Sequence, residues 1–188
     1  MTNLPRNLQQ LQARVRAGEK FSYAFFWGHN LRAGHYQSGK GFSQWFAAPF
    51  ELDGERFATA EHYMMAGKAA LFDDQEMRRA ILQSEDPGKA KALGRKVRNF
   101  DAQTWEAACC DIVYRGNLAK FSQHPRLRQD LLQSGDAIIV EASPKDAIWG
   151  IGLHAEHEHA KQPLRWPGRN LLGFVLMDVR AALRQNAD

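Results

Sequence analysis

The chain has 188 residues, of which 44% are hydrophobic and 24% charged, and its formal net charge is +4. That is enough for one domain with a real core, in the composition range of ordinary globular proteins. No apolar run approaches the roughly 20 residues of a membrane span, and residues 1–20 contain no apolar signal segment. The mild positive charge permits phosphate-bearing partners without demanding nucleic acid. Cys109 and Cys110 are adjacent. Neighbours on a helix point apart, so no disulfide framework is expected, and a reducing cytoplasm is the expected location.

Taken in chain order, residues 1–20 read as a short polar lead-in, with Leu8, Leu11 and Val15 as a thin apolar stripe. Phe21 to Trp27 is aromatic and predicts a strand. Gly28 to Gly41 is loop-like, broken by Gly28, Gly34, Gly39 and Gly41. A second aromatic cluster runs from Phe42 to Phe46. Pro49 to Phe57 predicts a hairpin, with Asp53-Gly54 as a type I′ turn and Phe50, Leu52 and Phe57 as its apolar side chains. A helix follows at once, with Thr59 as its N-cap. The middle of the chain is helical. Asp73, three residues before Glu76, has capping-box spacing for a helix reaching Ser84. Asp86-Pro87 opens a short basic helix bearing Lys89, Lys91, Arg95, Lys96 and Arg98. Asp101 or Thr104 starts the next, with Trp105, Cys109, Ile112 and Val113 on its apolar face. Pro125 begins another, which Ser134-Gly135 ends. Ala137 to Glu141 is a short strand, and Asn170 caps a last helix carrying Leu171, Phe174, Val175 and Leu176. Strands flanking a helical middle predict an α+β class: one domain over 21–188, mostly helical, with a small sheet from the N-terminal hairpin strands and the later strand.

Four stretches could carry chemistry. Glu61, Met64, Met65 and Lys68 share one helical face, because positions three, four and seven apart line up. Such a face fits a pocket with an apolar floor and a charged rim. It also fits an acid that merely complements the helix dipole and a lysine that snorkels off the methionines. The loop Ser143 to Gly152 presents Asp146, Trp149, Gly150 and Gly152. There glycine allows close backbone approach, and the indole offers a stacking face. The alternative is a tight turn, with Asp146 capping amides and Trp149 in the core. His154, His157 and His159 with Glu156 and Glu158 match no zinc spacing, so a solvated segment and no metal are expected there. In the basic run, Arg95 after Gly94 is the cation best placed for phosphate. No GxSxG, P-loop or GxGxxG signature occurs, against a simple hydrolase, NTPase or dehydrogenase reading.

Several separated motifs resemble the YbiA-like, or NADAR, family. They are Phe26-Trp27-Gly28-His29, Ser43-Gln44-Trp45 with Pro49-Phe50, Ala60-Glu61-His62-Tyr63 with Lys68, and Ala92-Leu93-Gly94-Arg95. Further on come Trp105, Ala119-Lys120-Phe121, Ser143-Pro144-Lys145-Asp146 with Trp149-Gly150, and Asn170-Leu171-Leu172-Gly173. Each is weak alone; their order and spacing are specific. Many members carry Ser-Asn-Phe where this chain has Ser43-Gln44-Trp45, which puts its substrate preference in question. The resemblance implies a single compact α+β domain and an N-glycosidase, a hydrolase of N-glycosyl bonds that needs no cofactor. It places Glu61, Trp105, Asp146 and Trp149 in the active site. Glu61 and Asp146 are then the catalytic candidates. Phe26, Trp27, Ser43, Lys68, Arg95, Trp105, Trp149, Gly150 and Asn170 are the substrate-binding ones.

The expected substrate is a ribosylated, phosphate-bearing small molecule of the riboflavin-pathway type. The alternatives are removal of ADP-ribose from guanine, with DNA as partner, and a non-catalytic module that binds ADP-ribose or NAD. The modest charge and the lack of a long Lys/Arg run weigh against extended DNA binding. The two acids weigh against a pure binder.

Overall fold

Asp53 and Gly54 both take positive φ, 53° and 79°, as a type I′ turn requires. They join β2 (Phe50–Leu52) and β3 (Glu55–Phe57), paired antiparallel with Phe50 opposite Phe57. The computed structural model describes residues 4–28 and 39–185. Most of the glycine-broken loop predicted after the first strand, with Gly34 and the motif residue His29, lies outside them. The remaining elements are α1 (Leu8–Arg16), β1 (Tyr23–Phe26), α2 (Ala60–Leu71), α3 (Gln75–Leu82), α4 (Pro87–Gly94), α5 (Ala102–Gln123), α6 (Pro125–Gln133), β4 (Ile138–Glu141) and α7 (Leu171–Gln185). The class is α+β. The chain divides into two compact units, one formed by residues before Gln44 and after Pro125, the other by Gln44–Pro125.

In the Gln44–Pro125 unit the hairpin rests on α2. The Phe50 and Phe57 rings stack at 5.6 Å, and Tyr63 meets Phe57 edge-on at 4.9 Å. Thr59 caps α2 by accepting the His62 amide. α2 and α5 then close on each other at two glycines. A β-carbon at Gly67 would lie 2.8 Å from Ile112 Cγ2, and one at Gly116 would overlap the Tyr63 ring. The pairs 67/112 and 63/116 run in opposite directions, so the helices are antiparallel. α4 closes on α2 in the same way, because any β-carbon at Gly94 would overlap Met65.

Two expectations shift by small steps. The N-cap of α3 is Asp74, whose carboxylate accepts from Met77 N, and not Asp73. Asp73 instead takes φ 53° in the turn out of α2. The Asp74 carboxylate also receives the Arg98 guanidinium and backbone amide, which hold its pKa well below the usual carboxylate range. The basic helix stops at Gly94, with Arg95 as its C-cap, so Lys96 and Arg98 lie beyond it.

In the other unit β1 pairs parallel to β4, from Tyr23 opposite Ile138 to Phe26 opposite Glu141. Ile138, Ile139 and Val140 are fully buried, as a parallel strand covered on both faces should be. The strands are thus shared between two separate two-stranded sheets: the hairpin satisfies its own ladder, and β4 recruits β1. β4 has a second edge, and Asn170 serves it. Its Oδ1 accepts from Glu141 N at 3.0 Å and its Nδ2 donates to Ile139 O at 2.9 Å. Its amide thus takes the place of one residue of a neighbouring strand. The cap predicted for Asn170 is made by other groups: Leu171 N and Leu172 N donate to the carbonyls of Ile148 and Trp149, filling orphan sites at the start of α7.

Asn170→Ala strands a buried donor and a buried acceptor on β4, each worth about 1–3 kcal/mol. It also places alanine at φ 56°. A loss of ~3 kcal/mol or more in urea unfolding is expected; a loss below about 1 kcal/mol would show that β4 does not depend on this amide.

Candidate active site

Within the Gln44–Pro125 unit, several polar side chains are buried, Glu61 among them at the start of α2. Glu61 is 4% exposed, and Gln44, Asn117 and Lys120 are buried with it. A carboxylate this buried does more than complement a helix dipole, since burying a charge is costly unless its surroundings answer it. Gln44 O accepts from Glu61 N at 3.0 Å, and Gln44 Oε1 accepts from Asn117 Nδ2 at 2.8 Å. Lys120 lies one turn beyond Asn117 on the same side of α5. The antiparallel register of α2 and α5 carries it to the level of Thr59 to Glu61. Burial pulls the Lys120 pKa down to about 7.

The neighbour of Glu61, His62, is a brace. Its Nε2 lies 2.9 Å from Ser84 O, an acceptor only, so Nε2 carries the proton, and Nδ1 accepts from the Thr59 hydroxyl at 2.8 Å. Burial holds its pKa below the ordinary histidine value. The ring thereby ties the first turn of α2 to the end of α3.

Further along α2, Lys68 is half-buried. Its ammonium lies 4.1 Å from the Phe100 ring centre and 5.6 Å from that of Trp105, a cation–π arrangement. Burial lowers its pKa. Trp105 is half-buried on α5, and Arg95 is exposed at the end of α4. The close contact at Gly94 packs the end of α4 on Met65 of α2, and Arg95 is the next residue in the chain.

The other unit holds the remaining candidates. Asp146 Oδ1 accepts from Ile148 N at 2.9 Å and Trp149 N at 2.8 Å. It organises its own loop, the turn-capping arrangement foreseen as the alternative. Trp149 is half-buried in that loop. Gly150 is required by packing, since a β-carbon would lie 2.8 Å from Glu141 O and 2.9 Å from Asp146 O. Phe26 is buried edge-on against Phe42 at 5.6 Å. Trp27 is 45% exposed and meets His154 edge-on at 4.7 Å. Ser43 and Asn170 are buried. The histidine segment is a run of turns in which His159 Nε2 lies 3.0 Å from Arg165 Nη1.

Sequence reasoning passed over Gln44, Asn117 and Lys120 as candidate site residues, although Gln44 and Lys120 stand in quoted motifs. The missed signal is on α5: Val113, Asn117, Lys120 and Phe121 share its buried side, so an amide and a lysine interrupt an otherwise apolar stripe.

The Gln44–Pro125 unit thus holds a buried carboxyl group, a lysine whose pKa burial lowers to about 7 and the half-buried Trp105, residue types that acid–base sites use. The comparisons name the family. The NADAR domain model matches residues 25–184. The chain is 47% identical over 173 residues to N-glycosidase R617 of Acanthamoeba polyphaga mimivirus, spanning 89% of this chain and 99% of that one. It is 34% identical over 142 residues to N-glycosidase YbiA of Escherichia coli strain K12, spanning 76% and 80%. The NMR structure of Escherichia coli YbiA aligns with a TM-score of 0.66 at 28% identity, covering 98% of this chain and 95% of that one. The chain belongs to the NADAR family.

The lysine makes a stability prediction. Between its folded value near 7 and the unfolded value of about 10.4, the unfolded chain binds a proton that folded Lys120 does not. Stability therefore rises with pH across that window. Lys120→Met should reduce the rise, measured by urea unfolding at the two ends of the window. An unchanged rise would mean that Lys120 is not the buried titrating group.

Proposed function

We propose that this chain is an N-glycosidase that cleaves the bond between ribose and a base nitrogen in a phosphate-bearing small molecule of the riboflavin-pathway type. The relatives' activity supports the reaction class, and one observation carries the mechanism: Glu61 is a carboxylate held 4% exposed at the start of α2. As the C–N bond breaks, positive charge develops on the sugar. A fixed carboxylate out of bulk water stabilises that charge and accepts a proton from the attacking water. The water oxygen bonds to the anomeric carbon, and the departing nitrogen takes up a proton. Lys120, titrating near 7, is matched to supply that proton at neutral pH. Lys68 and Arg95 are the cations for phosphate. Trp105 offers an aromatic face for the base within the same unit. The scheme uses no metal or organic cofactor.

The test is incubation with a ribosylated riboflavin-pathway intermediate, with NAD and with a DNA oligonucleotide bearing ADP-ribosylated guanine, reading released base and sugar phosphate by mass. Release from the small molecule is expected. Glu61→Gln should lower kcat by about 100-fold or more with KM little changed. Cleavage confined to the modified oligonucleotide would move the substrate to DNA. Wild-type turnover in Glu61→Gln would remove the carboxylate from the mechanism.

A further inference from the structure

Two buried amides in the Gln44–Pro125 unit have no task in the scheme above. Gln44 is 8% exposed and Asn117 is fully buried. The amides are joined by the Asn117 Nδ2 to Gln44 Oε1 bond of 2.8 Å, and the same Nδ2 donates to Val113 O at 2.8 Å. Val113 O is an acceptor only, which fixes the orientation of the Asn117 amide. The nitrogen must face both oxygens, so Gln44 presents its oxygen. That leaves Gln44 Nε2 and Asn117 Oδ1 without hydrogen-bond partners among the described residues.

Such a pair is a poor way to gain stability. Each unmatched buried group is a desolvation cost, and apolar side chains of similar shape would serve the core as well or better. Its position explains it. The first N–H groups of a helix lack partners within the helix. At α2 the Thr59 hydroxyl takes His62 N, and the backbone carbonyl of Gln44 takes Glu61 N. Glu61 is therefore held by the residue whose side chain is anchored on α5, one turn before Lys120.

We infer that Gln44 and Asn117 are positioning residues for Glu61, and that their amide–amide hydrogen bond fixes the first turn of α2 against the Lys120 turn of α5. The inference rests on the reading of Glu61 as the catalytic carboxylate. Neither amide touches the reacting atoms. A carboxylate displaced by about 1 Å loses much of its effect on the transition state, on the order of 100-fold, while substrate still binds.

The experiment is a double-mutant cycle in the full chain. Gln44→Met and Asn117→Leu keep approximate shape and remove the bond; each is made alone and with Glu61→Gln. Rates are taken per folded protein, beside thermal melts. In the wild-type background Gln44→Met should lower kcat about 10- to 100-fold with KM within about twofold. In the Glu61→Gln background the same change should cost almost nothing, because the group it positions is gone. A merely structural role would cost the same factor in both backgrounds, and that result overturns the inference. So does a folded Gln44→Met with wild-type kcat. If Gln44→Met does not fold, the Asn117→Leu cycle decides by the same criteria. If neither folds, the couple is a structural necessity and the inference fails. Full activity in Glu61→Gln alone is a different failure, that of the carboxylate's own role.

Discussion

The Gln44–Pro125 unit depends on how closely α2 and α5 approach. Gly67 against Ile112 and Gly116 against Tyr63 leave no room for a β-carbon at either crossing. Two helices this close have one register. That register is antiparallel and sets the level at which each side chain of α5 meets α2. It brings Asn117 to Gln44 and Lys120 to the height of Glu61. A methyl group at Gly116 would collide with the Tyr63 ring and part the helices. The hairpin would suffer with them, because Phe57 and Phe50 pack on that ring.

Around this crossing the unit maintains groups a core would normally exclude. Glu61, Gln44, Asn117 and Lys120 are buried, as are Met64 and Met65 of α2 and Val113 and Phe121 of α5. In the proposed reaction, a low local dielectric would strengthen the interaction of the carboxylate with developing charge. It also brings the lysine toward neutrality, where giving and taking a proton are nearly balanced. Elsewhere the unit pairs its buried polar groups, as in the His62 brace to Ser84 and the Arg98 clamp on Asp74.

Local chemistry was the legible part of the sequence. The Asp53-Gly54 turn, the Thr59 cap and the Asp86-Pro87 start are each encoded within a few residues, and each stands where it was expected. Asp73 and Asp74 could not be told apart because both suit a cap; the choice follows from Arg98, 24 residues on. The service of Asn170 to β4 spans 31 residues and has no local signature, so a buried strand mimic resembled an ordinary N-cap. Two sheets, where one was expected, have the same origin: β1 finds β4 across more than a hundred residues. In the site, the Glu61 face was visible from helical spacing, but its depth was not. Lys120 was hidden for the opposite reason, since periodicity marks apolar stripes and does not weigh a charge lying within one.

The central claim is that Glu61 faces and stabilises positive charge on the sugar. A cationic iminoribitol, with a protonated ring nitrogen, imitates that charge, and ribose of the same shape does not. Calorimetric titration of both into wild type and Glu61→Gln isolates the interaction without needing the natural substrate. The account predicts that the iminoribitol binds wild type at least ~100-fold more tightly than the variant, with ribose binding the two alike. Equal affinity of the iminoribitol for both proteins would contradict it.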